Sequence, residues 1–159
     1  MIDADTGNIH LPNGFVITPA LTLKEFRQSW FGRNATANRP PSTPGECWFS
    51  EDAGDAVTGS FRVGLSFQNE TLRRAWLECE TVMTGEEDEA WIERKQTHDA
   101  LLLKDFGEPD TFTDTYGMDA PGLGKAPNHL RPWGKAVSEF DYGGGDAYIS
   151  ITYYNGKAL

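Results

Sequence analysis

The sequence predicts an α+β domain: an antiparallel β-sheet of about five to seven strands, one long helix packed on one face, and a short N-terminal helix. Two neighbouring segments, 60–68 and 71–82, alternate apolar and polar residues around a short turn, as the strands of a hairpin do. Apolar residues at helical spacing then lead up to Gly107 and Pro109, which predicts a long helix. The remaining strand-like segments are joined by short turns, which favours antiparallel pairing.

Length and composition are those of one soluble domain spanning residues 1–159. The hydrophobic fraction is 38% and the charged fraction 24%, and no apolar run approaches the roughly 18 residues that cross a membrane. The N-terminus lacks the basic and then apolar pattern of a signal peptide. We therefore predict a cytoplasmic protein. Cys47 and Cys79 have no CxxC spacing and are interpreted as small buried residues in a reducing compartment.

The N-terminal third predicts two short strands and one short helix. Residues 9–11 and 15–18 flank an Asn-Gly turn at 13–14, which favours tight reversal. Thr22 and Glu25 have the spacing of a capping box, so we expect a helix over 23–31 that ends at Gly32. Residues 47–50 are a further predicted strand, between loops at 33–46 and 51–59.

The central and C-terminal parts predict a long helix and a last hairpin. The long helix is expected over 86–106, with Trp91, Lys95, His98, Leu102 and Phe106 on one face. Residues 110–132 carry several glycines and prolines without a period, which predicts a long surface loop. Residues 135–142 and 147–154 are the expected hairpin, which starts after Pro132-Trp133-Gly134.

The glycine run at 143–145 is interpreted as the turn of that hairpin. A phosphate-binding loop needs a helix after the glycines, whereas these are followed by strand-forming residues and no Lys-Ser or Lys-Thr. Glu139, Asp141 and Asp146 do not have the spacing of a calcium-binding loop. We predict no metal site and no cofactor.

His98 with Asp99 on the long helix is the strongest candidate for a catalytic pair, because histidine titrates near neutrality. Carboxylates are too abundant for any particular pair of acids to be chosen as catalytic. Because His98 shares a face with Trp91 and Leu102, a buried histidine bonded to a strand or loop is the favoured interpretation. We predict no catalytic residue and no enzyme. The alternative is a small-ligand-binding or enzymatic domain with a pocket between the sheet and the long helix, around His98 and Trp91. A third hypothesis is a structural subunit that self-associates through an open sheet edge.

The functional prediction is based mainly on the net charge and on the distribution of acidic residues. The net charge is −10, and residues 78–93 contain seven acids without a Lys or Arg. Such a surface disfavours nucleic acid and anionic membranes and favours a basic protein partner. Trp76, on the polar side of its strand, is expected to anchor the interface. The predicted partner-binding residues are Trp76, Glu78, Glu80, Glu86, Glu87, Asp88 and Glu89.

Three segments carry a resemblance: "LPNGFVITPALTLKEF", "HDALL" and "PWGKAVSEFDYGGGDAYISITYY". They resemble an uncharacterised family of short bacterial proteins with a Pro-Trp-Gly C-terminal hairpin, whose members look like companions of secreted or contact-dependent toxins. The resemblance implies a toxin-immunity protein, one that binds and neutralises a cognate bacterial toxin. It carries over no catalytic residue, and the segment 110–132 is longer than the family's stretch before Pro-Trp-Gly.

Overall fold

The computed structural model describes residues 1–12, 14–34, 46–55, 59–80, 87–114, 124–141 and 146–154. Within these ranges the side chains at 34, 46–55, 59–60, 80, 87–89, 141 and 146 are not described. Three predicted features lie outside the described residues: the turn residue Asn13, the glycine run at 143–145, and Thr84, whose spacing to Glu87 is that of a capping box.

The described residues form an α+β fold, as predicted. The first part contains two short strands and two short helices: β1 (Ile9–His10), β2 (Val16–Ile17), α1 (Leu23–Gln28) and α2 (Trp30–Asn34). Three long strands and the long helix follow: β3 (Glu46–Asp55), β4 (Gly59–Gln68), β5 (Thr71–Glu80) and α3 (Glu87–Phe106). The last part is all strand: β6 (Thr111–Asp114), β7 (Lys125–Arg131), β8 (Gly134–Asp141) and β9 (Asp146–Tyr153).

Seven strands form one antiparallel sheet in the order β3-β4-β5-β9-β8-β7-β6, and β1 pairs with β2 in a separate ribbon. The core lies on one face of the large sheet, where Val63, Leu77 and Ile149 are fully buried. Helix α3 covers this face together with the N-terminal segment, whose Phe26 ring lies 5.7 Å from that of Phe67. The other face of the sheet, called here the second face, is the side away from α3.

Helix α3 spans almost the predicted range and presents the predicted face to the sheet. Lys95, His98, Leu102 and Phe106 are all buried, and Trp91 packs on Phe140 with ring centroids 5.9 Å apart. The helix ends at Gly107, whose φ of 79° and hydrogen bond to the Leu103 carbonyl form a left-handed C-cap.

The single helix predicted over 23–31 is two helices separated at Ser29. The capping box is present, since Thr22 and Glu25 bond to each other's backbone N–H. Ser29 then adopts an extended conformation, and its hydroxyl accepts a hydrogen bond from the Gly32 N–H. Gly32 was the predicted end but lies inside α2. The break also turns Trp30 outward, leaving it 64% exposed.

The long loop predicted over 110–132 was wrong at both ends, which form β6 and β7. Strand β7 is buried on both faces, with Ala126, Pro127, Asn128 and His129 all buried, so it lacks an apolar–polar alternation. The loop predicted at 51–59 was also wrong in part, since β3 continues to Asp55 and β4 begins at Gly59.

Pro132-Trp133-Gly134 connects β7 to β8, with Arg131 paired to Gly134. The indole N–H of Trp133 donates to the Ala4 carbonyl at 2.9 Å, and the Tyr153 hydroxyl donates to the Gly7 carbonyl at 3.0 Å. Gly7 has a φ of 74°, and a Cβ there would lie 2.5 Å from the Trp133 ring. The motif therefore fixes the N-terminal segment against the sheet.

Candidate functional site

The predicted partner-binding residues lie on β5 and at the start of α3. Trp76 is half-buried, and Glu80 is the last residue of β5. Glu87, Asp88 and Glu89 occupy the first turn of α3, whereas Glu86 lies outside the described residues. We call Glu80, Glu86, Glu87, Asp88 and Glu89 the acidic end.

Glu78 does not belong to an exposed acidic surface, contrary to the sequence prediction. It is only 7% exposed and accepts hydrogen bonds from Arg62 of β4 and Arg94 of α3, both at 3.2 Å. Two guanidinium groups thus neutralise this carboxylate, one from a residue before Glu78 in the sequence and one from a residue after it. Glu78 has a structural role, joining α3 to the sheet.

The contact between α3 and β5 depends on a local separation of two strands. In the described residues, β5 and β9 pair from Arg74↔Thr152 to Leu77↔Ile149, and each strand continues without further pairing to the other. Beyond this point His98 Nε2 accepts the Cys79 backbone N–H at 3.0 Å. The expectation of a buried histidine bonded to a strand is therefore confirmed. His98 is fully buried, so it does not line an open pocket between sheet and helix.

One cavity lined by described residues lies on the second face. It has a volume of about 290 Å³ and is formed by strands β6 to β9. Its polar lining consists of Thr113, Asn128, Lys135, Glu139 and Tyr148. Its apolar lining is Ala126, Val137 and Phe140. We call this cavity the groove.

Strand register explains why these side chains converge. Lys135, Val137 and Glu139 alternate along β8 and so point to the same side of the sheet. Asn128 lies opposite Val137 on β7, and Tyr148 lies opposite Glu139 on β9. Cross-strand partners share a face, so the groove collects one basic, one acidic and one amide side chain.

The polar groups of the groove differ in how they are satisfied. The amide of Asn128 donates one proton to Thr113 Oγ1 at 2.9 Å and the other to the Ala126 carbonyl at 3.1 Å. Its carbonyl oxygen is therefore the group that it can offer to a ligand. Within the described part of the chain, neither Lys135 nor Glu139 forms an ion pair, although both are half-buried.

Trp76 lies on the same second face as the groove. Continuous register connects Trp76 to Ser150 on β9, then to Val137 on β8 and to Asn128 on β7. The predicted anchor thus lies on the strand next to β9, which contributes Tyr148 to the groove. The sequence places Lys135, Val137 and Glu139 on one side of a strand, but Asn128 could not be assigned because β7 has no alternating pattern.

The core face carries a second group of titratable residues, beneath α3. His129 is 1% exposed, and its ring lies 5.2 Å from that of Phe106. Burial and the nearby Arg131 guanidinium lower the pKa of His129, against the opposing charges of Asp110, Asp99 and Glu108. Lys95 is fully buried, with its ammonium 2.6 Å from Asp99 Oδ1.

The described residues contain no group of three or more His, Cys, Asp or Glu side chains arranged to hold a metal ion. No helix in the described ranges is long and apolar enough to cross a membrane. Comparison with protein-family models, with curated proteins and with solved structures found no match to this chain.

Proposed function

We propose that the protein binds a basic protein partner through the acidic end, as an immunity protein binds and neutralises a bacterial toxin. The observation that carries the proposal is charge. Net charge is −10, and six acids remain between residues 79 and 93, without a Lys or Arg, once the ion-paired Glu78 is set aside. A surface of this kind attracts a basic partner and accelerates encounter.

The fold supports the proposal by joining the two acidic segments. The Arg94–Glu78 ion pair and the His98–Cys79 hydrogen bond hold the first half of α3 against the last residues of β5. Glu80 follows Glu78 by two residues, and the first turn of α3 precedes Arg94 by little more than one turn. The backbone of Glu80 and that of residues 87–89 therefore lie at the same end of the contact between β5 and α3.

In the proposed complex the carboxylates of the acidic end face basic side chains of the toxin. If the toxin is a nuclease, these carboxylates occupy the place of nucleic-acid phosphates and block the substrate site. Trp76 supplies apolar contact area on the same strand, since an aromatic side chain beside charged groups is the usual composition of an interface anchor.

Charge reversal tests the proposal. The protein is co-expressed with the product of a neighbouring toxin-like gene, and growth is compared for the natural sequence and the variant E87K/D88K/E89K. We expect the natural sequence to restore growth and the variant to fail. The control D5K/E108K/D114K changes net charge by the same amount at three exposed acids elsewhere, and it should still protect.

Salt dependence provides the second measurement. Affinity for the purified toxin should fall steeply as ionic strength rises, because exposed charges are screened within about 10 Å at 0.1 M salt. Affinity that is equal at low and high salt would contradict the acidic end as the interface. Protection lost equally in both triple variants would show that net charge alone is responsible.

A further inference from the structure

We propose that the groove on the second face binds a dipeptide with both termini free. The ligand carboxylate contacts the Lys135 ammonium, and the ligand ammonium contacts the Glu139 carboxylate. The site lies on β6 to β9 and shares no residue with the acidic end.

Charge separation within the groove selects the ligand class. Lys135 and Glu139 are four residues apart on one strand, so their α-carbons lie about 13 Å apart at about 3.3 Å per residue. Side chains on a strand stand roughly perpendicular to the sheet, so the ammonium and the carboxylate are separated by a similar distance. A charge-assisted hydrogen bond of about 2.8 Å at each end then leaves about 7 Å between the ligand's charges. An extended chain spans about 3.5 Å per residue, so two residues fill this distance. The charges of a free amino acid are too close together to reach both side chains.

The floor between the two charges fits the middle of a dipeptide. Val137 and Ala126 are almost fully buried there and offer apolar contact to a small ligand side chain. Asn128 is 6% exposed, and both its amide protons are already used by Thr113 and Ala126. Its carbonyl oxygen can therefore accept the N–H of the ligand's peptide bond. A volume of about 290 Å³ is at the small end of ligand sites, which suits two residues.

The two charged side chains of the groove also favour a bound ligand. Lys135 and Glu139 are half-buried, but neither forms an ion pair within the described residues. Partly desolvated charges without partners are costly, and a ligand with complementary termini satisfies both at once.

Calorimetric titration with alanyl-leucine tests the proposal, alongside the same peptide with an acetylated N-terminus or an amidated C-terminus. We expect each cap to weaken binding about tenfold, because each removes one charge-assisted contact. Free alanine should bind more weakly still, and tetra-alanine should lose affinity because its termini overshoot the two side chains.

Variants of the protein assign each terminus to its partner. In Lys135→Met the amidated and free-acid peptides should bind equally, and in Glu139→Gln the acetylated and free-amine peptides should bind equally. Lys125→Met and Glu108→Gln are matched controls at exposed positions outside the groove, and both should bind like the natural sequence.

Three outcomes would overturn the proposal. The first is no heat of binding at about 10 mM peptide, a concentration far above the Kd of a specific site. The others are capped peptides that bind as tightly as free ones, and control variants that lose as much affinity as the groove variants. Circular dichroism of every variant establishes that the fold is kept. The triple variant E87K/D88K/E89K should bind the dipeptide normally, so failure of the groove and failure of the acidic end are distinguishable.

Discussion

Removing Asp99 should destabilise the protein far more than removing Lys95, although the two side chains form one ion pair. Lys95 Nζ lies 2.6 Å from Asp99 Oδ1, yet the lysine side chain is 0% exposed and the aspartate side chain is 35% exposed. Asp99→Ala leaves a fully buried ammonium without this carboxylate. Lys95→Met leaves a carboxylate that water can still reach.

The two costs follow from this difference in exposure. Breaking a buried pair by removing one partner costs about 3–5 kcal/mol when the remaining charge stays buried. We therefore expect a loss of about 3 kcal/mol for Asp99→Ala, set at the lower limit because Asp99 is partly hydrated. Lys95→Met replaces the aliphatic stem with one of similar volume and removes the buried charge, so it should change stability by less than about 1 kcal/mol.

Urea denaturation at neutral pH measures both effects as the free energy of unfolding. The double variant Lys95→Met with Asp99→Ala should resemble the single Lys95→Met, because no buried ammonium remains in either. Equal losses in the two single variants, or a double variant as unstable as Asp99→Ala, would refute the argument that burial of Lys95 dominates. Because the Lys95 ammonium is fully buried, 1 M salt should not remove the difference.

Three further predictions concern other described residues. Burial lowers the pKa of His129 below its ordinary 6.5, so the free energy of unfolding should decrease as pH falls just below 6.5, and His129→Leu should reduce this slope in pH-dependent denaturation. Gly7→Ala should cost about 2 kcal/mol or more, since it adds a clash with Trp133 to the backbone strain that the control Gly14→Ala carries alone; equal losses in thermal denaturation would contradict this contact. Glu78→Gln should cost about 2 kcal/mol in urea, because two guanidinium groups lose their shared carboxylate, and an unchanged midpoint would exclude a structural role.

The parts of the fold that the sequence predicts are those with a clear period. The β4–β5 hairpin has one face buried and one polar, so its alternation is visible, and α3 carries a buried stripe with caps at its C-terminus. Strand β7 is not predicted from the sequence, because Asn128 and His129 are buried on opposite faces of the sheet. The contrast between a buried and an exposed face is therefore missing. A strand that is covered on both sides cannot be recognised by alternation alone.

The burial of Glu78 shows a different limit of prediction from sequence. Alternation assigns it correctly to the side of β5 that carries Trp76, and a glutamate on a polar face is expected to be exposed. The residues that bury it, Arg62 and Arg94, each lie 16 positions away, one on the neighbouring strand and one on α3. The pairing with Arg62 follows from the hairpin register. The pairing with Arg94 requires knowledge of where β5 separates from β9, which no local pattern contains.

The two faces of the sheet give the same residue types different roles. On the core face, Lys95 pairs with Asp99 of the same helix, and His98 accepts the Cys79 N–H, which joins α3 to the sheet. On the second face, Lys135 and Glu139 share a groove without pairing to each other or to another described residue. A charge that stabilises the fold is matched internally, whereas a charge that recognises a ligand must stay available until the ligand arrives. In the proposed dipeptide site, the lack of internal partners is what distinguishes Lys135 and Glu139 from the structural charges Lys95 and Glu78.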